Sequence, residues 1–262
     1  MRLHSETIGA GAPVALLHGW AMNLRVFDGL SAALASTHRV TAIDLPGHGR
    51  SPWRAGLTPS AIADRLLEEL PERCALLGWS LGGQLALRIA ARAPARVSRL
   101  VLLATTPRFL AGADWPHGLE PGLLQRFVTG LETDSARTVS DFLELQVRGS
   151  SAATATLQQL RAALQRHGDA TPAALGAGLV QLAGDDLREL AATITQPVLL
   201  LSGQYDRVTP PAAARALAAL LPDARHVELR RAGHAPFLSH LDTLLPELRS
   251  FLESRAAGGV AA

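Results

Sequence analysis

Apolar residues in the first half of the chain fall in short unbroken runs, separated by stretches with helical spacing. The run over 14–17 is closed by His18-Gly19, that over 39–45 by Pro46-Gly47, and that over 74–77 ends at Gly78. A fourth covers 97–104, and two late ones cover 198–202, closed by Gly203, and 225–229. Continuous rather than alternating runs predict strands covered on both faces. Between them, apolar positions three or four apart predict helices over 23–36, 58–70, 81–93, 211–221 and 241–253. Strand and helix in alternation predict an α/β class, with a mostly parallel sheet flanked by helices.

The rhythm breaks over residues 108–190, which read as helices without strands. Asp134-Ser135 predicts an N-cap for a helix through Gln146, and Ser150-Ser151 one for a helix through His167, with Gly149 and Gly168 at their ends. A helical insertion between two strands is either a lid or a cover for apolar surface. The expected organisation is a core from 1–107 and 191–255, a helical lid over 108–190, and a disordered tail over 256–262.

Composition narrows the class. The chain has 262 residues, 48% hydrophobic and 18% charged, enough apolar side chains for a sizeable core. All 25 basic residues are arginines, against 23 acidic ones, with no clustered run of either sign. Nucleic-acid or membrane-surface binding is therefore not expected. One cysteine, Cys74, excludes an intrachain disulfide and a cysteine-rich metal site. No apolar run approaches a membrane span or a signal-peptide core, so the expected location is cytoplasmic and the expected state a monomer.

The chemistry begins at Gly78-Trp79-Ser80-Leu81-Gly82-Gly83, directly after a strand and before a helix. G-x-S-x-G in that position is a nucleophile elbow, whose turn is too tight for side chains flanking the serine. His234, on a loop after the last strand, is the candidate base. Asp206, after the strand over 198–202, is the candidate orienting acid. The order Ser80, Asp206, His234 is that of α/β-hydrolases. Some members carry the acid one strand earlier, but Ala104-Thr105-Thr106-Pro107 has no carboxylate there, and Asp185 and Asp186 lie in the insertion. Backbone N–H groups of Trp20 and Leu81 are the candidate oxyanion donors. His18 is read as shaping its loop. The segment from Asp44 to Ser51 lacks the Lys-Ser/Thr of a P-loop and is read as a structural turn. No metal-ligand spacing is visible, so neither metal nor cofactor is expected.

The motifs His18-Gly19-Trp20, Asp44 to Ser51, the elbow, Asp206 and His234 resemble the α/β-hydrolase superfamily across nearly the whole chain. Tryptophans in the first and third motifs resemble more closely the pimeloyl-[acyl-carrier protein] methyl ester esterases of biotin synthesis. So do Thr106-Pro107-Arg108-Phe109, Asp114-Trp115-Pro116, Arg137-Thr138-Val139, Phe142-Leu143 and His234-Ala235-Pro236-Phe237. The resemblance implies a serine carboxylesterase that hydrolyses the methyl ester of a carrier-bound pimeloyl chain to pimeloyl-carrier and methanol, without cofactor. It implies substrate contacts at Trp20, Leu81, Phe142, Leu143, Glu144, Leu145 and Gln146.

Phe142 and Gln146, four apart on one predicted helix face, would either line an acyl channel or pack the lid onto the core. An acidic carrier would be met by arginines, and Arg137, Arg148, Arg161 and Arg166 are the candidates. Arg137 could instead pair with Asp141. Asp141, Thr154 and Gln158 stand where the family pattern has further arginines. The rival readings are a short-chain carboxylesterase or other cofactor-free hydrolase of small free substrates, and a hydrolase-fold receptor that only binds its ligand. Dehalogenase and epoxide-hydrolase chemistry would need an aspartate at position 80.

Overall fold

The computed structural model describes residues 1–254; the tail expected over 256–262 lies outside the described residues, as does Arg255. A seven-stranded sheet has the order β1-β3-β2-β4-β5-β6-β7. Its strands are β1 (Ser5–Ile8), β2 (Ala12–Leu17), β3 (His38–Ile43), β4 (Cys74–Trp79), β5 (Val97–Leu103), β6 (Val198–Gly203) and β7 (Ala224–Leu229). Only β1, on the edge, is antiparallel, pairing Ser5 with Ile43. The others run parallel, with Leu17 opposite Gly78 and Gly203 opposite Leu229.

Both faces are covered, which explains the unbroken apolar runs. In β2, Val14 and Leu16 join one buried cluster while Ala15 and Leu17 join the other. The first cluster takes in α1 (Asp28–Leu34), α6 (Ala153–His167), α10 (Pro236–Ser239) and α11 (Leu241–Glu253). The second takes in α2 (Pro59–Glu69), α3 (Leu81–Arg92), α7 (Pro172–Gly184) and α9 (Pro211–Leu220). The α/β-hydrolase expectation is borne out.

Between β5 and β6 lie α4 (Pro121–Thr133), α5 (Ser135–Val147), α6, α7 and α8 (Arg188–Ala191). Where this insertion leaves and rejoins the core, Arg108 bridges Asp186, the Leu187 amide donates to Pro107 at 2.8 Å, and Trp115 Nε1 donates to the Arg108 carbonyl at 2.9 Å.

Several expected boundaries are corrected. The stretch over 23–36 splits into a 3-10 turn (Leu24–Phe27), capped by Asn23, and α1. Asp134 does cap α5, accepting from the Arg137 amide at 2.9 Å. Ser150-Ser151 does not cap α6, which starts after Ala152 with no side-chain cap, because Ser150 closes a turn with the Val147 carbonyl. The helices α4 and α7, with Pro at the first helical position and capped by Glu120 and Thr171, and the edge strand β1 are further elements. No helix among the described residues is long and apolar enough to cross a membrane.

Candidate active site

Because β2, β4, β6 and β7 run parallel, the residues that follow them emerge at one edge of the sheet. His18-Gly19-Trp20 follows β2, Ser80 follows β4, Asp206 follows β6 and His234 follows β7. Ser80 occupies the turn into α3 with φ 55° and ψ −117°, a conformation that non-glycine residues rarely adopt. Its amide donates to the Leu103 carbonyl at 2.9 Å, and its carbonyl accepts from the Thr105 hydroxyl at 2.7 Å, so neighbouring β5 holds the strained turn. A side chain at Gly82 would put its Cβ 2.3 Å from the Leu17 carbonyl oxygen, so only glycine lets α3 start against the end of β2.

His234 and Asp206 are buried side by side, with Nδ1 2.8 Å from Asp206 Oδ2. Asp206 also accepts from the Val208 amide at 2.8 Å, the Thr209 amide at 2.9 Å and the Thr209 hydroxyl at 2.8 Å. The carboxylate's other contacts are all donors, so it is fixed as the acceptor and His234 Nδ1–H donates to it. His234 Nε2 is then the acceptor nitrogen, and it has no partner among the described residues. Trp79 Nε1 donates to the His234 carbonyl at 2.8 Å, joining the His234 loop to the residue before Ser80. Thr209 is a neighbour of the candidate pair that was not singled out in the sequence; its signal was Asp-x-x-Thr, the spacing of a side-chain-capped turn.

Trp20 and Leu81 both lie at this edge, and neither amide donates to a backbone carbonyl among the described residues. His18 shapes the loop: Nε2 accepts from the Leu45 amide at 2.9 Å, and Nδ1 donates to Gly19 at 2.8 Å. Burial holds the His18 and His48 imidazoles below their usual range, His48 at about 3, so both are neutral.

The insertion covers the site. Trp20 Nε1 donates to the Leu175 carbonyl of α7 at 2.9 Å, and Phe142 of α5 packs edge-on against Trp20 with centroids 4.9 Å apart. Leu145 shares a core cluster with Phe142, Leu143 joins the opposite one, and Glu144 is exposed and pairs with Arg161 at 3.0 Å. Gln146 is buried, and neither atom of its side-chain amide has a partner among the described residues. Two cavities flank α5. One of about 300 Å³ lies between Ala21, Val139, Leu143, Leu164 and Leu175. The other, of about 460 Å³, is walled by Phe127, Leu145, Arg126, Arg137 and Arg148. Arg137 pairs with Asp141 and Arg166 with Asp28. Asp185, set aside in the sequence, is held by Arg88 at 2.6 Å.

Folding brings together titratable side chains that sequence spacing does not. His4, Glu6 and His167 bring ligand atoms within 4.8 Å of one another, because edge strand and lid helix meet there.

A family model described as alpha/beta hydrolase fold matches residues 12–241. The pimeloyl-[acyl-carrier protein] methyl ester esterase of Nitrosomonas europaea is 44% identical over 237 residues, 90% of this chain and 94% of its own. That of Stenotrophomonas maltophilia is 40% identical over 98% of this chain and 100% of its own. Among solved structures, an esterase from Exiguobacterium antarcticum superposes with a TM-score of 0.86 at 24% identity, covering 96% of each chain. A hydrolase from Pseudomonas aeruginosa reaches 0.79 at 26%, covering 96% of this chain and 94% of its own.

Proposed function

Since the chain belongs to the alpha/beta-hydrolase family and, within it, to the pimeloyl-[acyl-carrier protein] methyl ester esterases, we propose that it hydrolyses the methyl ester of a carrier-bound pimeloyl chain as a serine esterase. The observation that carries the mechanism is His234: a buried imidazole fixed by Asp206 through Nδ1, with Nε2 left to accept a proton at the edge where the strained turn presents Ser80.

In this reading the Ser80 hydroxyl attacks the ester carbonyl while His234 Nε2 takes its proton. The Trp20 and Leu81 amides stabilise the oxyanion, already oriented before charge develops. Collapse of the tetrahedral intermediate breaks the bond to the methoxy oxygen, which leaves as methanol with the proton from His234. Water, deprotonated by the same nitrogen, then cleaves the acyl-enzyme to a free carboxylate and restores Ser80. Asp206 holds the tautomer and offsets the imidazolium charge, and Thr209 holds Asp206.

Phe142 and the buried Gln146 amide face the substrate in this proposal, Gln146 supplying polar groups where an ester group would otherwise meet only apolar wall. The carrier docks on the groove between α4 and α5. Arg161 and Arg166 already hold Glu144 and Asp28, so the docking charge is assigned chiefly to Arg137 and Arg148, with Arg126 beside them. The chain works in the cytoplasm, a placement in keeping with a single free cysteine and no disulfide.

Comparing hydrolysis of methyl pimeloyl-carrier with that of free dimethyl pimelate tests the reading. A higher kcat/KM for the carrier-bound ester is expected. Equal efficiencies would move the substrate to small free esters, and absence of turnover on both would favour a receptor.

A further inference from the structure

We propose that His4, Glu6 and His167 form a binding site for a divalent transition-metal ion of the zinc class, joining edge strand β1 to the end of lid helix α6. The site is separate from Ser80, Asp206 and His234, and the inference does not rest on the esterase reading.

Three observations converge. The three side chains already place ligand atoms within 4.8 Å of one another. His4 Nε2 and Glu6 Oε1 are 3.3 Å apart. That is long for a hydrogen bond, yet it matches the roughly 3.3–3.5 Å edge of a tetrahedron whose metal–ligand bonds are about 2.0–2.1 Å. The third observation is His167. Its side chain is fully buried, and Nε2 lies 2.8 Å from Asp44 Oδ2. Asp44 is itself pinned, accepting from the Leu24 amide at 2.8 Å and the Arg50 amide at 3.0 Å, so His167 donates to it. The nitrogen left over, Nδ1, is an acceptor without a partner among the described residues. The His167 and His4 rings lie with centroids 5.2 Å apart, and a buried imidazole that donates one N–H to a fixed carboxylate and keeps an unpartnered nitrogen has the second-sphere support of a carboxylate–histidine–metal arrangement.

Two nitrogens and one carboxylate oxygen suit zinc, cobalt or nickel rather than magnesium or calcium, which prefer oxygen donors. One position stays open to water. His4 and Glu6 are partly exposed, so an ion can enter and both side chains can close on it. Arg25 also touches Glu6, but it lies 3.5 Å from Asp28 and can shift to that carboxylate when metal arrives. The bound ion would tie the first strand to the helix flanking the smaller cavity beside α5, where Asn23 Nδ2 already holds the Ala163 and Gly168 carbonyls.

The test uses the full chain, stripped with EDTA and titrated with zinc chloride in a calorimeter, with thermal unfolding in parallel. One zinc per chain and a raised unfolding midpoint are expected. His4→Ala and Glu6→Gln should each weaken binding by more than tenfold and remove the zinc-dependent rise, while the control His117→Ala changes neither. Both tested positions are partly exposed, and circular dichroism verifies that the variants fold. Absence of zinc binding to the parent, or affinity unchanged in His4→Ala and Glu6→Gln, overturns the proposal.

Discussion

The His234 amide donates to the Gln146 carbonyl at 2.8 Å, so the loop that carries the candidate base is bonded to the last turn of α5 in the helical insertion. The contact is close enough that a Cβ on Gly233 would stand 2.6 Å from the same carbonyl oxygen. The insertion and the His234 loop are therefore joined through the backbone, and a shift of α5 would be passed to the imidazole.

Gly233→Ala should accordingly lower kcat on both carrier-bound and free esters, by roughly tenfold or more, because sub-ångström misplacement of a base is costly. Gly233 does not have a positive φ, so the cost lies in the shift that the backbone clash forces on the loop or on α5, and the unfolding midpoint should fall as well. Steady-state kinetics alongside calorimetry separate the two effects. Full activity in this variant would show that the base loop does not depend on the lid.

Ser80→Ala should reduce kcat by about 10⁴ or more, since nucleophile and base act as a unit. The side chain makes no bond that holds the elbow; the backbone bonds to Leu103 and Thr105 do that. Stability should therefore be close to the parent's. Most of the esterase rate surviving in Ser80→Ala would exclude this serine as the nucleophile.

Charge reversal at Arg126, Arg137 and Arg148 together should cut kcat/KM on the carrier-bound ester while leaving a soluble ester nearly unaffected. Each exposed charge contributes about 1 kcal/mol or less, so the triple variant is the informative one. Added salt should narrow the parent's advantage on the carrier-bound ester, because attraction between exposed charges is screened. A ratio of the two efficiencies that moves with neither charge nor salt would put the carrier elsewhere.

Acid should destabilise the fold through its buried imidazoles. Burial holds His48 at about 3 and His18 below its usual range. Each takes up a proton on unfolding below about pH 6.5. Their contribution is complete above that pH and is lost as pH falls from there toward the folded values. The unfolding free energy should drop by up to ~1.4 kcal/mol per pH unit for each such histidine. His48→Asn should flatten that slope between about pH 6 and 4. An unchanged slope would assign the acid sensitivity to other groups.

Much of the core was legible in the chain. Strands covered on both faces cannot alternate, so β2, β4, β6 and the second half of β5 stand out as unbroken runs, whereas the edge strand β7, Ala-Arg-His-Val-Glu-Leu, is largely half-buried and departs from the covered run expected there. The elbow is marked by glycines that its close contacts demand. The edge strand β1 was not legible, because Ser-Glu-Thr-Ile is half exposed and mixes polar with apolar residues as an edge allows. Nor was α7, which carries apolar residues and glycines around much of its circumference. Gly178 is there because a Cβ would stand 2.6 Å from Trp20 Cδ1, a reason found only in a residue far away in the chain.

The same division runs through the candidate sites. Ser80, Asp206 and His234 could be read because each follows a strand whose end is marked locally, and parallel strands put such ends on one edge. That Thr209 braces Asp206 was legible in the Asp-x-x-Thr spacing, but that Gln146 holds the His234 loop and that His167 meets His4 and Glu6 could not be read. Turn chemistry and burial period act within a few residues, so the amino-acid sequence by itself determined most strands, the elbow and the order of the candidate catalytic residues. Contacts between the lid and the core join segments that share no local signal. Only the tertiary structure, through packing and shared backbone hydrogen bonds, decided which side chains meet.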